Sequence, residues 1–482
     1  MKNIKRVLLI NTNLIKPPVA PIGLDYIGSA LIKSGFETEL LDLNFSKNIK
    51  EDIRKKLAEN NFFAIGVNIR NSDDCYYLSQ DNFLTRIKDI IKYIKKYSKS
   101  PIILGGGGFS VMPLEIICYL EADFGILGDG EFVLPELLRV IRENKKYSDG
   151  INNIAGVISK DKNNKIIKSH NCSLEEYPLP DRDLVDNKKY FDEGGMGNVE
   201  TKRGCNRKCI YCADPLIKGK RLRVRPVKTV INEIKKLISK KINYIHFCDS
   251  ELNIPQDHTT ELLKQIIENK LGDKIRWYSY MSPVPFDEGL IKLLKRSGCE
   301  GINFGVDSTH EIILKNLGRD HNLEDLEKIS KLCSKHKIKF MFDLLLGGPG
   351  EDKDTIKFTI ESIKKLNPTC VGISYGIRVY PITNLSSMIK KDIFSSKNLY
   401  GKIGNSNNFL RPVFFLSEKI GEVMIEYTNS LVSGDGRFFV GASNKSDKNY
   451  NYNENLKLQK AIKSGYRGAF WDILQRLNSN SI

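Results

Sequence analysis

Arg203-Gly204-Cys205-Asn206-Arg207-Lys208-Cys209-Ile210-Tyr211-Cys212 decides how this chain of 482 residues is read. Three thiols fall within eight residues, after an apolar stretch of strand character (Gly197–Thr201) and before a helical one. Iron–sulfur clusters are held by cysteine thiolates, usually four. Three leave one iron with an open valence, able to take N and O donors from a substrate or cofactor. Arg203, Arg207 and Lys208 favour the thiolate form and offset the charge of a cluster. Gly204 lets the backbone turn tightly around a bulky group. Structural zinc takes four protein ligands, often as two CxxC pairs. No second pair exists, and His246 and His258 are strays that nothing in the sequence places.

Outward from the motif, strand and helix patterns alternate over residues 196–385. The strands are Gly197–Thr201, Tyr244–Cys248, Trp277–Met281, Gly301–Gly305, Phe340–Leu346 and Val371–Tyr375. The helices include Val227–Ser239, Thr259–Asn269, Asp287–Ser297, Leu323–His336 and Asp354–Leu366. Six βα units predict a partial (β/α)6 barrel. A similar alternation fills residues 1–150, with strands Val7–Asn11, Glu39–Leu43, Ala64–Ile69, Ile102–Gly105 and Phe124–Leu127, and helices such as Gly23–Lys33 and Phe83–Lys96. That predicts an α/β, doubly wound, Rossmann-like domain with ligands at the carboxyl ends of its strands. Residues 151–195 lose the alternation. A hairpin (Ala155–Lys160, Lys165–Ser169, turning at Asn163-Asn164) precedes Tyr177-Pro178-Leu179-Pro180, whose alternate prolines force extended backbone and read as a linker. Residues 386–482 form a mixed C-terminal extension ending in a helical pattern, Gly468–Leu477.

Hydrophobic content of 41% and charged content of 28% are those of a globular chain, and no run of 18 apolar residues exists to span a membrane. The N-terminal MKNIKRVLLINTN lacks a cleavage site and reads as a first strand, so a cytoplasmic protein is expected. The net charge of +17 comes from lysines scattered in pairs at helical spacing, which favours solvated helix faces over a nucleic-acid surface. Seven of the ten cysteines are widely spaced and read as small buried hydrophobes.

The Cys205-x3-Cys209-x-Tyr211-Cys212 signature resembles the radical SAM superfamily. The resemblance implies a 4Fe-4S cluster on the three cysteines and S-adenosylmethionine (SAM) on the fourth iron. It also implies reductive cleavage to a deoxyadenosyl radical, Tyr211 near the adenine, and a six-stranded partial barrel. Further segments extend it. Asp249 and Glu251 end the second barrel strand, where the family places an acid for the SAM amino group. Asp307 and Ser308 end the fourth, where a polar residue meets the ribose or carboxylate. Gly347 and Gly348 end the fifth.

The first domain resembles the cobalamin-binding domain that precedes many such barrels. The carrying residues are Pro21 and Gly23, then Gly105, Gly106, Gly107 and Phe109, then Gly128, Gly130 and Glu131. Glycines at strand ends let backbone approach a large flat ligand. No histidine precedes His170, so none from this domain reaches cobalt. Asn68 and Arg70 end the third strand. An arginine there resembles the tryptophan 2-C-methyltransferase branch, where it faces the cobalt's lower side. A guanidinium cannot readily lose its proton and is a poor ligand, which favours methyl cation transfer. In that branch a carboxylate can occupy the open iron, with Glu251 or Asp249 as the candidate.

The resemblance therefore implies a cobalamin-dependent radical SAM methyltransferase. It would move a methyl group from SAM via methylcobalamin to a carbon of a small-molecule or peptide substrate, with Arg70 and Glu251 catalytic. Its expected partner is an electron donor such as flavodoxin or ferredoxin, without membrane or nucleic acid. A non-methylating rearrangement or cyclisation with the same cofactors is the alternative. An RNA methylthiotransferase is a further one, which would need three more N-terminal cysteines where Cys75, Cys118 and Cys172 are available. Gly465–Asp472 either caps the site or packs onto the barrel.

Overall fold

Strands that read as nearly unbroken apolar runs are buried on both faces, and the central strands of the first sheet are of this kind. A computed structural model describes residues 5–143, 151, 154–159, 173–391, 393–394, 396–401, 409–440 and 452–479. Its N-terminal strands are β1 (Arg6–Asn11), β2 (Glu37–Asp42), β3 (Ala64–Asn68), β4 (Ile102–Gly105), β5 (Phe124–Ile126) and β6 (Val157–Ser159). They lie in the order β2-β1-β3-β4-β5-β6, parallel except for β6. Leu8, Ile10, Ile65, Val67, Ile102 and Leu104 pack under helices on one face; Val7, Leu9, Ala64 and Ile103 pack on the other. The strand order reverses between β1 and β3, and a doubly wound sheet opens its ligand crevice at that point.

The expected hairpin does not sit apart in the linker. Val157–Ser159 pairs antiparallel with β5 and extends the first sheet past residue 150; Asn163-Asn164 and Lys165–Ser169 lie outside the described residues. The linker beyond it is no slack tether. Arg182, fully buried, meets Asp25 of the first domain at 3.3 Å and Glu233 of a barrel helix at 2.9 Å. Buried charges persist only when paired, so this arginine fixes the two domains against each other.

The barrel begins with β7 (Gly197–Val199). A small antiparallel pair follows, β8 (Lys202–Arg203) with β9 (Arg223–Val224). Next come β10 (Tyr244–Phe247), β11 (Arg276–Met281), β12 (Cys299–Asp307), β13 (Lys339–Leu346) and β14 (Cys370–Tyr375). All six expected strands are present, and the helices Val227–Ser239 and Leu323–His336 fall where the sequence predicts them. Two additions were not foreseen: the helix Glu311–Leu317 after β12, and a seventh strand from the C-terminal extension. After β15 (Ile377–Arg378), β16 (Leu399–Tyr400) and β17 (Phe414–Phe415), which form a small sheet, β18 (Phe438–Val440) pairs parallel with β14. The barrel order is β18-β14-β13-β12-β11-β10-β7.

Side chains alternate across these strands. Ile245, Phe247, Trp277, Ile302, Phe304, Phe340, Phe342, Val371 and Ile373 pack outward against the helices in one core. The alternate positions, including His246, Tyr278, Tyr280, Asn303, Met341 and Asp343, face the lumen. The lumen floor is closed by the helices Leu456–Lys463 and Phe470–Ser479, where Trp471, Leu458, Ile462 and Leu474 pack with Tyr278, Met341 and Cys370. Trp471 Nε1 donates to Asn303 Oδ1 at 2.6 Å, and Tyr278 donates to Asp472 at 2.7 Å. Gly465–Asp472 thus packs into the barrel end opposite the cysteine loop, and does not cap the mouth.

Candidate active site

The cysteine loop is an excursion whose base is closed by the β8–β9 pair, with Cys205 N donating to Gly219 O at 3.1 Å. Gly204 takes φ +101°, and a Cβ there would stand 2.2 Å from Arg221 O, so only glycine fits this turn. The far side of the loop is laced to the barrel: Ile210 N donates to Leu317 O at 3.0 Å, and Leu385 N to Ile210 O at 2.8 Å. The unforeseen helix Glu311–Leu317 is therefore one of the loop's two anchors.

Cys205, Cys209 and Cys212 line one cavity together with Tyr211, Asp214, Ser250, Glu251, Tyr280, Gly305 and Arg319. Burial pushes the Cys205 thiol up to about 11 and raises those of Cys209 and Cys212 as well. Of the expected basic escort, Arg207 lines this cavity, whereas Arg203 and Lys208 do not. Arg203 turns to Glu131 (2.6 Å), Asp129 (3.1 Å) and Glu200 (2.8 Å). Arg207 holds Glu251 at 2.9 Å, and Lys208 is exposed. Arg319 joins Arg207 there, its Nη1 lying 3.1 Å from Cys209 Sγ and its Nε 3.4 Å from Asp307. Because burial opposes ionisation, a metal group that binds here must itself displace the thiol protons. Among the described residues no three His, Cys, Asp or Glu side chains gather as ligands of one metal ion. Thiols spread around a cavity suit a polynuclear cluster.

Around this cavity several sequence expectations need correction. Asp249 is spent within the fold, accepting from Thr201 N at 2.8 Å, Thr201 Oγ1 at 2.6 Å and Lys202 N at 3.2 Å. Glu251 is the carboxylate that reaches the cavity wall. Ser308 is buried against Thr359 at 3.0 Å, away from the thiols. Gly347 and Gly348 donate their N–H groups to Glu351, whose carboxyl burial pushes up to about 7. Asp307 lies beside the motif: Tyr211 donates to it at 2.5 Å, so motif and fourth strand end meet.

The second cavity opens at the carboxyl edge of the first sheet. Its lining includes Gly23, Asn68, Gly105, Gly106, Gly107, Gly128, Gly130 and Glu131, with Glu200, Arg203 and Lys218 from the barrel side. Open space lies where a Cβ would stand on Gly23 and Gly105, so a ligand can approach the backbone itself. At Gly106 (φ +103°) and Gly108 the limit is the protein: a Cβ would meet Ile69 O at 2.5 Å and the Asn71 carbonyl carbon at 2.6 Å, so the third and fourth loops touch. Phe109 is a correction. Its ring is wholly buried, filling the space a side chain on Gly125 would need. Pro21 is buried at the helix start and does not line this cavity. Arg70 is exposed just beyond Asn68 and is not itself part of this lining; desolvation lowers its pKa.

A thin wall separates the two cavities. The short helix Asp214–Ile217 gives Asp214 and Pro215 to the thiol side, and Ile217 with Lys218 to the glycine side. Lys218 and Asp214 are paired at 2.9 Å. Sequence reasoning missed Asp214, Ser250, Tyr280 and Arg319. Of the cysteines proposed for a second cluster, Cys75 lies 3.0 Å from Tyr380 Oη, Cys118 is exposed on the helix Pro113–Leu120, and Cys172 lies outside the described residues.

Comparison with known proteins bears on both cavities. Residues 199–363 match the Radical SAM superfamily, and residues 9–138 match the B12 binding domain. The chain is 28% identical to a tryptophan 2-C-methyltransferase of Streptomyces laurentii, over 89% of this chain and 82% of that one. It is 27% identical to the solved radical SAM methyltransferase TsrM of Kitasatospora setae with tryptophan and a SAM analogue bound, at a TM-score of 0.91 and covering 99% of both chains. The same enzyme with cobalamin and a [4Fe-4S] cluster gives 26% identity, a TM-score of 0.87, and coverage of 99% of this chain and 100% of that one. Among the described residues no helix is long and apolar enough to cross a membrane.

Proposed function

Because the chain is a cobalamin-binding member of the radical SAM superfamily, we propose that it methylates a ring carbon of tryptophan or a closely similar amino acid. It is a cobalamin-dependent radical SAM methyltransferase, with a 4Fe-4S cluster, SAM and cobalamin as cofactors. When bound, these groups supply the methyl donor, its carrier and the electrons; the protein supplies binding, orientation and a dry lumen. The observation that carries the reading is the pair of cavities, one lined by three thiols and one by glycine backbone, sharing the Asp214–Ile217 wall.

In this reading Cys205, Cys209 and Cys212 hold the cluster, and Glu251, steadied by Arg207 at 2.9 Å, is the carboxylate for the open iron. Tyr211 and Asp307 form the SAM side of the cavity, while Asp249, Ser308, Gly347 and Gly348 support its walls. The loops of Gly23, Gly105–Gly107 and Gly128–Glu131 receive cobalamin. Arg70, a permanent cation without a lone pair to give, could not itself ligate the cobalt of a bound cobalamin. A flavodoxin- or ferredoxin-like donor keeps the cofactors reduced. The cytoplasm is the compartment that suits nine unpaired cysteines among the described residues.

The test is anaerobic reconstitution followed by metal analysis and incubation of tryptophan with methyl-labelled SAM. About four iron and one cobalt per chain and a labelled methyl on the indole ring are expected, with iron lost when the three cysteines become alanine. Zinc without iron, or product without label, would overturn the reading.

A further inference from the structure

His246 sits on β10 between Ile245 and Phe247, both wholly buried in the outer core, so its ring faces the lumen. It differs from its fellows. His258 Nε2 is 2.9 Å from Arg225 O and His321 Nε2 is 3.1 Å from Val306 O, each tied to backbone. Among the described residues no group hydrogen-bonds the His246 ring; its recorded neighbour is the edge of Tyr280, at 5.9 Å between centroids. Tyr280 also lines the thiol cavity. The charged groups that act on His246 are Asp249 from the end of its own strand and Arg70 from the cobalamin-side loop. The imidazole therefore stands in the lumen beside Tyr280, which borders the thiol cavity, with ring nitrogens that no described group hydrogen-bonds.

Resting on the function proposed above, we propose that His246 is the proton acceptor of the methylation. The methyl group arrives as an electrophile, its former bonding pair remaining with the donor, and an electron pair of the substrate ring forms the new carbon–carbon bond. The C–H bond at that carbon then breaks. Its electron pair restores the aromatic ring and its proton passes to the imidazole, which later releases it to water. A ring carbon carrying both methyl and hydrogen is a strong acid, so the acceptor need not be a strong base; it must only be unprotonated. Burial pushes His246 down to about 4, which favours the neutral imidazole near neutral pH.

The test compares the loaded parent enzyme with His246→Asn, using tryptophan deuterated at the methylated carbon. Expected are unchanged tryptophan affinity, turnover slower by about 100-fold or more, and a primary deuterium isotope effect that is larger in the variant. Turnover within threefold of the parent, or a loss confined to affinity, would overturn the proposal. So would nitrogen splitting from an imidazole in the spectrum of cobalt(II) cobalamin, which would make His246 a cobalt ligand. If the variant does not fold, histidine-labelled parent protein is titrated by NMR with and without tryptophan. One neutral imidazole that shifts on tryptophan addition supports the assignment, and none overturns it. A parent inactive on tryptophan defeats the earlier reading and takes this one with it; an active parent matched by its variant defeats this one alone.

Discussion

Removing the indole of Trp471 is expected to unseat the lumen floor, by an amount that follows from its contacts. The side chain is 2% exposed, its ring meets Tyr278 at 6.0 Å and 86°, and its Nε1 donates to Asn303 Oδ1 at 2.6 Å. Trp471→Phe keeps most of the apolar contact but deletes the donor, leaving a buried amide oxygen unsatisfied at a cost of about 1–3 kcal/mol. Trp471→Ala adds an unfilled cavity, for about 3–5 kcal/mol. Urea unfolding of the full chain, followed by circular dichroism, measures both. In an Asn303→Ala background the cost of Trp471→Phe shrinks by about 1 kcal/mol, because the partner is already gone. A Trp471→Phe protein within about 0.5 kcal/mol of the parent, or no coupling to Asn303, would refute the claim that this hydrogen bond holds the floor.

Gly108→Ala forces a methyl to within 2.6 Å of the Asn71 backbone, so the third and fourth loops must part; cobalamin affinity measured by equilibrium dialysis is expected to fall about tenfold or more, each tenfold being 1.4 kcal/mol. Arg182→Met leaves Asp25 and Glu233 buried without their cation and should cost about 3–5 kcal/mol in urea unfolding; an unchanged midpoint would show that the interdomain tie is not structural. Burial pushes His321 down to about 3. The folded state therefore binds fewer protons than the unfolded one below the ordinary histidine value of about 6.5. Stability is full above that pH and declines as pH falls towards 3, by up to about 1.4 kcal/mol per pH unit from this group. His321→Gln should flatten that slope, and an equally steep slope in the variant would count against it.

The local features of this protein were legible in its residues. Three thiols in eight positions announce a metal group wherever the chain carries them. The helix Leu323–His336 matches its sequence pattern to the residue, and its start is fixed locally, Asn322 capping Asp325 N while Asp325 reaches back. Strand periodicity likewise gave both sheets. β18 escaped because three residues carry too little pattern to distinguish a strand from a turn. What only the folded chain decided is which acidic and basic groups meet. Asp249 and Glu251 look equivalent in sequence, yet pairing with Thr201, 48 positions away, takes the first out of the site. Arg319 comes from 110 positions beyond Cys209 to replace the arginine that stands two residues before Cys205. Trp471, within the helical pattern Gly468–Leu477, fills the barrel's far end 168 residues from its partner. Periodicity reports which face of an element a residue occupies, since that depends on the backbone's own repeat. Partners of buried charges are selected by desolvation and by the register of distant strands, and those exist only once the chain has closed.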